Sequence, residues 1–213
     1  MPSSTDSGRT DEDIAPVVLA AGLSRRMGRP KLVLPVHGRP VLWWTVEAVR
    51  RLTGTPAWVV VPPEGPVADL ARAERWPIIV NPHPAAGVGA SLACAAARLA
   101  PRPLLVFLGD EPQVSPDATR AVLAAARERP EAAAVEPTFG GVPGHPVLLR
   151  GPALERVRTL TGDRGARSVL GELEAGRRVV VPVAAPPPPD LDTPEDYAAL
   201  LAGWGDRAPE AKE

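Results

Sequence analysis

The stretch Ala15 to Lys31, APVVLAAGLSRRMGRPK, restricts the possible folds of this chain more than any other. Its first part, Ala15 to Ala20, is a short apolar run and reads as a buried strand. At Ala21-Gly22 the run opens into a polar loop carrying Arg25, Arg26, Gly28 and Lys31. Glycine reaches positive φ and lets backbone approach a ligand closely. Backbone N–H groups after a strand, with cations beside them, suit a phosphate chain. The same residues also fit an ordinary basic surface loop. Neither of the two commonest phosphate loops is present: there is no G-x-x-x-x-G-K-[ST], and Gly22 and Gly28 do not make G-x-G-x-x-G.

Beyond this loop the chain repeats one pattern. Val41 to Leu52 places Leu42, Val46 and Val49 at helical spacing, with Trp43 and Trp44 in its first turn. Two adjacent tryptophans cannot face the same way, so one is assigned to the core and one to an interface. Ala57 to Val61 is a β-branched strand closed by Pro62-Pro63, Val67 to Arg75 a short helix, and Ile78 to Val80 the next strand. The loop HPAAGVGAS leads to a helix from about Ser91 to Leu99, and the strand Leu104 to Leu108 ends in Gly109-Asp110. Ser115 or Asp117 caps a helix that ends near Glu128. Strand–helix alternation with short connections predicts a mostly parallel sheet with helices on both faces.

Residues 132–150 break the alternation. Two extended stretches, Ala132 to Thr138 and Gly144 to Arg150, flank FGGVP and predict an antiparallel element. Helices near 152–159 and 166–175, a strand at Arg178 to Val183 and an extended segment at Pro186 to Pro189 follow. Thr193 as N-cap and Pro194 at the first helical position begin a last helix.

At 213 residues the chain suits one domain with a real core, assigned to 14–204. Residues 1–13 are expected to be a polar, disordered lead and 205–213 a flexible tail. A net charge of −1 gives no basic footprint for nucleic acid. The single cysteine, Cys94, excludes an internal disulfide and a cysteine-based zinc site, and fits a reducing compartment. The lead lacks the apolar core of a secretory signal, and no apolar run approaches the roughly 18 residues that span a bilayer. A cytoplasmic protein without membrane association is expected.

Two carboxylates stand where chemistry is plausible. Asp110 ends a strand inside LVFLGDEP; ligands of open α/β sheets bind at such ends, and a carboxylate there suits Mg²⁺. It suits capping of the next helix as well. Asp192 lies in DLDTPEDY, which is a good helix start in its own right.

Leu19, Ala20, Ala21, Gly22, Arg26, Met27, Gly28 and Lys31 resemble L-A-[AG]-G-x-x-x-R-M-G-x-x-K, the opening of the MobA-like nucleotidyltransferases. That family transfers a nucleotide from an NTP to a phosphate or sugar-phosphate acceptor. Leu108 to Pro112 resembles its metal-binding L-x-G-D-x-P, with Glu111 where relatives often carry Gln. Asp190 to Asp196 resembles its late D-[IL]-D-T-P-[ED]-D, and NPHPAAGVGASL the loop that contacts base and ribose. Gly144-His145-Pro146 and Gly162 to Arg167 resemble the G-H-P and G-D-x-G-A-R stretches of the molybdenum cofactor cytidylyltransferase branch.

The resemblance spans roughly residues 15–203 and implies a single Rossmann-like nucleotidyltransferase domain. It implies a nucleotide site of Leu19, Ala20, Ala21, Gly22, Arg26, Lys31, Gly89, Ser91 and Asp110, with Arg26, Lys31 and Asp110 catalytic. It implies Mg²⁺, or Mn²⁺, on Asp110 with Asp192 as second ligand, Asp190 being the weaker choice. Acceptor binding falls to His145, Asp163, Arg164 and Arg167; surface salt bridges of Asp163 and the arginines are the alternative. The implied substrates are CTP and molybdopterin, the product molybdopterin cytosine dinucleotide, and the partner a xanthine dehydrogenase-type molybdoenzyme. The opening L-A-A-G is the cytidylyl form; the guanylyl branch reads L-A-G-G. Guanylyl transfer, a sugar-phosphate acceptor, or a non-catalytic carrier of the cofactor are the alternatives.

Overall fold

The computed structural model describes residues 14–160 and 165–204. The strands are β1 (Ala15–Leu19), β2 (Pro35–Val36), β3 (Arg39–Pro40), β4 (Trp58–Val61), β5 (Ile78–Val80), β6 (Leu104–Leu108), β7 (Ala134–Phe139), β8 (Val142–Pro143), β9 (Val147–Leu149) and β10 (Arg178–Val183). The helices are α1 (Val41–Thr53), α2 (Pro66–Ala73), α3 (Val88–Leu99), α4 (Pro116–Glu128), α5 (Pro152–Val157), α6 (Ala166–Leu170) and α7 (Pro194–Gly203). The main sheet runs β10-β7-β9-β6-β1-β4-β5, with β8 paired to β7; β2 and β3 form a separate hairpin. The β1–β4, β1–β6, β4–β5 and β7–β10 pairs are parallel, while β9 is antiparallel to both β6 and β7. The two stretches expected to form an antiparallel element are β7 and β9, which pair antiparallel, with β8 from the segment between them added to β7.

Each central strand is apolar on both faces, as a sheet covered twice requires. In β6, Leu105 and Phe107 face the core under α1, α4 and α7, while Leu104 and Val106 face the core under α3, α5 and α6. Trp44 packs edge-on against Trp204, with ring centres 4.9 Å apart, and its indole N–H donates to the Val36 carbonyl at 2.8 Å. Trp43 is turned away, partly exposed beneath the Arg39 guanidinium.

Several boundaries differ from the sequence reading: α2 runs Pro66–Ala73 and β9 only Val147–Leu149, and three further helices differ as well. Helix α3 begins at Val88, because Gly87 (φ +90°) makes the turn just before it, so Gly89 is a buried helical residue. Helix α6 stops at Leu170, helix-poor Gly171 following and Gly176 (φ +81°) turning the chain before β10. Helix α5 ends at Val157. No helix among the described residues is long and apolar enough to cross a membrane.

Candidate active site

The carboxyl ends of β1 and β6 lie side by side, because Leu19 is in register with Leu108. The next residue after β6, Gly109, fits where a side chain does not: a Cβ there would sit 3.0 Å from the Leu19 carbonyl and 3.2 Å from Leu42. Thr45 of α1 donates its hydroxyl to the Gly109 carbonyl at 3.0 Å. This close seam delivers Asp110 to the basic loop that leaves β1.

At the seam, Lys31 Nζ lies 2.6 Å from Asp110 Oδ2 and 2.8 Å from Asp192 Oδ1. Arg26 approaches Asp192 Oδ2 at 2.9 Å from the exposed side. Burial disfavours the charge on Lys31, but Asp110 and then Asp192 outweigh it and hold its pKa above the usual lysine value. The capping alternatives for both aspartates are ruled out by the caps actually made. Ser115 accepts the Ala118 N–H at the start of α4. At α7, Thr193 accepts from Asp196 N–H while the Asp196 carboxylate accepts from Thr193 and Asp192 N–H groups. Asp192's own carboxylate is thus left for the cations.

These groups line an open cleft of about 450 Å³ together with Leu19, Ala21, Gly22 and Ser91. Ser91 is buried and accepts a 3.0 Å hydrogen bond from the Asn81 amide. Two of the expected nucleotide residues do not line it. Ala20 is buried and its N–H serves the sheet, donating to the Val60 carbonyl; Gly89 is packed inside α3, and Gly87 lines the cleft in its place. Leu23, Ser24, Pro84 and Val88 also line it. Nothing in their types singles them out; only the folding of the two loops over one cleft does.

A second cleft, about 660 Å³, shares Leu19, Val88 and Leu108 with the first. Its polar wall comes from Glu111, His145, Arg167 and Asp190. His145 reaches it through sheet register: Val106 pairs with Val147 in antiparallel fashion, so the residues two steps outward are Leu108 and His145. Gly144 lies flat on the Phe139 ring, where a Cβ would come within 2.5 Å of Cε2. Arg167 donates to the Pro143 carbonyl at 2.9 Å, so it braces the His145 loop. Partial burial, then the carboxylates of Glu111, Asp110 and Asp192, push the Asp190 carboxyl above the usual range, with His145 opposing. Asp163 and Arg164 lie outside the described residues.

The donors at the seam are those of a hard divalent cation. Among the described residues no cluster of three or more acidic, histidine or cysteine side chains could cage a metal alone. Asp110 and Asp192 nevertheless share one positive charge, the Lys31 ammonium, and supply only oxygens. Two carboxylates completed by substrate phosphates and water are the ordinary Mg²⁺ arrangement, so these residues fit the ion.

A mostly parallel sheet with a cleft of paired cations and carboxylates at its strand ends, flanked by a second cleft, has the form of an α/β ligand-binding protein. Residues 16–178 match the model of the MobA-like NTP transferase domain. The purine catabolism protein PucB of Bacillus subtilis is 31% identical over 198 residues, covering 85% of this chain and 92% of that one. The molybdenum cofactor cytidylyltransferase of Escherichia coli is 26% identical over 189 residues, with the same coverages of 85% and 92%. Among solved structures, the manganese complex of Rv0371c from Mycobacterium tuberculosis superposes with a TM-score of 0.69 at 28% identity, covering 89% of this chain and 98% of that one. The chain belongs to the MobA-like NTP transferase family and is a nucleotidyltransferase.

Proposed function

We propose that this nucleotidyltransferase transfers CMP from CTP to the terminal phosphate of molybdenum-bearing molybdopterin and releases pyrophosphate. The observation that carries the reading is the pair of adjoining clefts, with Asp110 on one wall and its neighbour Glu111 on the other. Two substrates seated there meet at the end of β6. The similarity to a molybdenum cofactor cytidylyltransferase supplies the choice of acceptor. The product would serve a xanthine dehydrogenase-type molybdoenzyme, and the single Cys94 suits cytoplasmic work.

Asp110 and Asp192 would hold Mg²⁺ or Mn²⁺, which when bound neutralises charge on phosphate oxygens. Arg26 and Lys31 face the β- and γ-phosphates, where charge grows as the α-phosphorus bond to the leaving oxygen breaks. An acceptor phosphate oxygen forms the new bond to the α-phosphorus from the side of the second cleft. A phosphate monoester is already largely ionised near neutral pH, so no protein base is required for the attack. The protein's contribution is placement and fixed charge. His145 and Arg167, with Asp163 and Arg164 of the neighbouring G-D-x-G-A-R stretch, hold the acceptor.

Pyrophosphate release, measured with each NTP with and without molybdopterin, tests this directly. Release with CTP that depends on molybdopterin is expected. Release with a sugar phosphate alone reassigns the acceptor, and no release with any NTP favours a carrier. His145→Ala and Arg167→Ala should raise the KM for molybdopterin more than that for CTP; equal effects on both would make these residues structural.

Base choice should follow Ala21, which is 2% exposed and lines the nucleotide cleft. Its methyl fills space that a two-ring base needs and restricts φ where Gly would not. One methyl discriminates by roughly 10–200-fold. CTP should be preferred over GTP in kcat/KM, and Ala21→Gly should narrow the preference without reversing it. Further changes in the Gly87–Leu92 loop should narrow it more. A wild-type preference for GTP would overturn the cytidylyl assignment.

A further inference from the structure

Glu111 is the residue after Asp110, yet it faces the other cleft and makes no contact with Lys31 among the described residues. Its side chain is 9% exposed, and Oε1 lies 3.2 Å from His145 Nδ1. The imidazole is 20% exposed on the wall of the second cleft, and Nε2 has no hydrogen-bond partner among the described residues. A carboxylate oxygen that accepts at this distance selects the tautomer with the proton on the facing nitrogen. A neutral imidazole free in water prefers the other nitrogen.

From this pairing we infer that Glu111 is a positioning residue for the transfer reaction. It takes the Nδ1–H of His145, fixes the rotation of the ring, and presents Nε2 to the acceptor as a lone pair. His145 then receives a hydrogen bond from an N–H or O–H of the acceptor's body and does not clamp its phosphate. The acceptor phosphate is left free to reach the α-phosphorus, while Arg26 and Lys31 stay with the β- and γ-phosphates. A carboxylate behind a histidine has the same orienting effect on metal-ligating and catalytic imidazoles. The surrounding framework keeps the pair in place: Gly144 N–H donates to the Pro137 carbonyl at 3.0 Å, and the Phe139 ring occupies the space above Gly144. Asp190 on the same wall adds a further acceptor, consistent with a donor-bearing ligand.

The inference deepens the proposed function and rests on it for the acceptor, but its first test needs no acceptor. The chain has three histidines, so ¹⁵N spectra of the rings are assignable with a His145→Ala control. In its neutral form the His145 ring should be protonated on Nδ1. In Glu111→Ala it should change to the Nε2–H form, with the fold retained by circular dichroism. An Nε2–H ring in the wild type, or a tautomer that Glu111→Ala leaves unchanged, overturns the inference.

The second test is kinetic, with molybdopterin and CTP. Glu111→Ala should raise the KM for molybdopterin about tenfold, the worth of one hydrogen bond, and leave that for CTP unchanged. Glu111→Gln, whose amide oxygen can still accept from Nδ1–H, should recover most of the loss. The double variant Glu111→Ala/His145→Ala should be no worse than His145→Ala alone. If His145→Ala raises the KM and Glu111→Ala does not, the positioning role fails while the acceptor site stands. If the wild type shows the Nδ1–H ring but no transfer to molybdopterin, the acceptor reading fails and the positioning of His145 stands.

Discussion

Asp110→Asn should lower turnover with CTP and a divalent metal by at least about a hundredfold. The substitution keeps the size of the side chain and removes the charge that makes the end of β6 attractive to a cation. Losing one preorganised electrostatic contact to the transition state costs on the order of 3 kcal/mol, which is that factor in rate. The fold should survive. Asp110 is partly exposed on the cleft wall, the seam beneath it is held by Gly109 and Thr45, and Lys31 keeps Asp192 as a partner. Thermal melting near the wild-type midpoint alongside the lost turnover is the expected result. Normal turnover would show that Asp110 does not hold the metal.

How far the residues alone lead can be judged at Asp110 and Asp192. Asp192 stands beside the start of α7 and Asp110 precedes α4 by a few residues, so either read as a candidate cap. Composition and spacing cannot separate the two roles, since aspartate suits both. The separation comes from which neighbour reaches the helix first: Ser115 at α4, and Thr193 with Asp196 at α7. The strand–helix order was legible because β1, β4, β5 and β6 are continuous apolar runs and each long helix carries its own periodicity. The boundaries of α3 and α6 were not, because small residues such as Gly87, Gly89 and Gly171 leave little pattern to read.

The cleft was legible as segments and less so as side chains. The loop after β1 lines it as expected, but Ala20 and Gly89 are absorbed by the sheet and by α3. A motif records that a stretch approaches a ligand and leaves open which of its atoms do. Glu111 illustrates the opposite failure. Beside the conspicuous Asp110 it reads as a minor departure from Gln, and only the β6–β9 register brings His145 alongside it. Long-range pairing of that kind has no signature in local sequence.

Lys31→Met should be at least as damaging as Asp110→Asn, and it separates the ion pairing of this lysine from the role in transfer proposed for it. Without metal, its ammonium supplies the positive charge between Asp110 and Asp192. Its side chain is 13% exposed against 21% and 29% for the aspartates, so solvent screens the cluster only in part. A divalent ion carries twice that charge and can replace the ammonium between the same two carboxylates. The displaced lysine is then free for the phosphates of the nucleotide. Met fills a similar volume without charge, so metal-free Lys31→Met should melt at a lower temperature than the wild type. Mn²⁺ alone should raise its melting point more than it raises that of the wild type, because no resident cation opposes the ion. Mn²⁺ titrated without nucleotide and followed by electron paramagnetic resonance should therefore bind Lys31→Met more tightly. Turnover should nonetheless fall by about a hundredfold or more, since a donor to the leaving pyrophosphate is gone. Weaker Mn²⁺ binding in Lys31→Met than in the wild type would show that lysine and metal do not compete for one site. Tighter Mn²⁺ binding with intact turnover would keep the shared site and remove Lys31 from the chemistry.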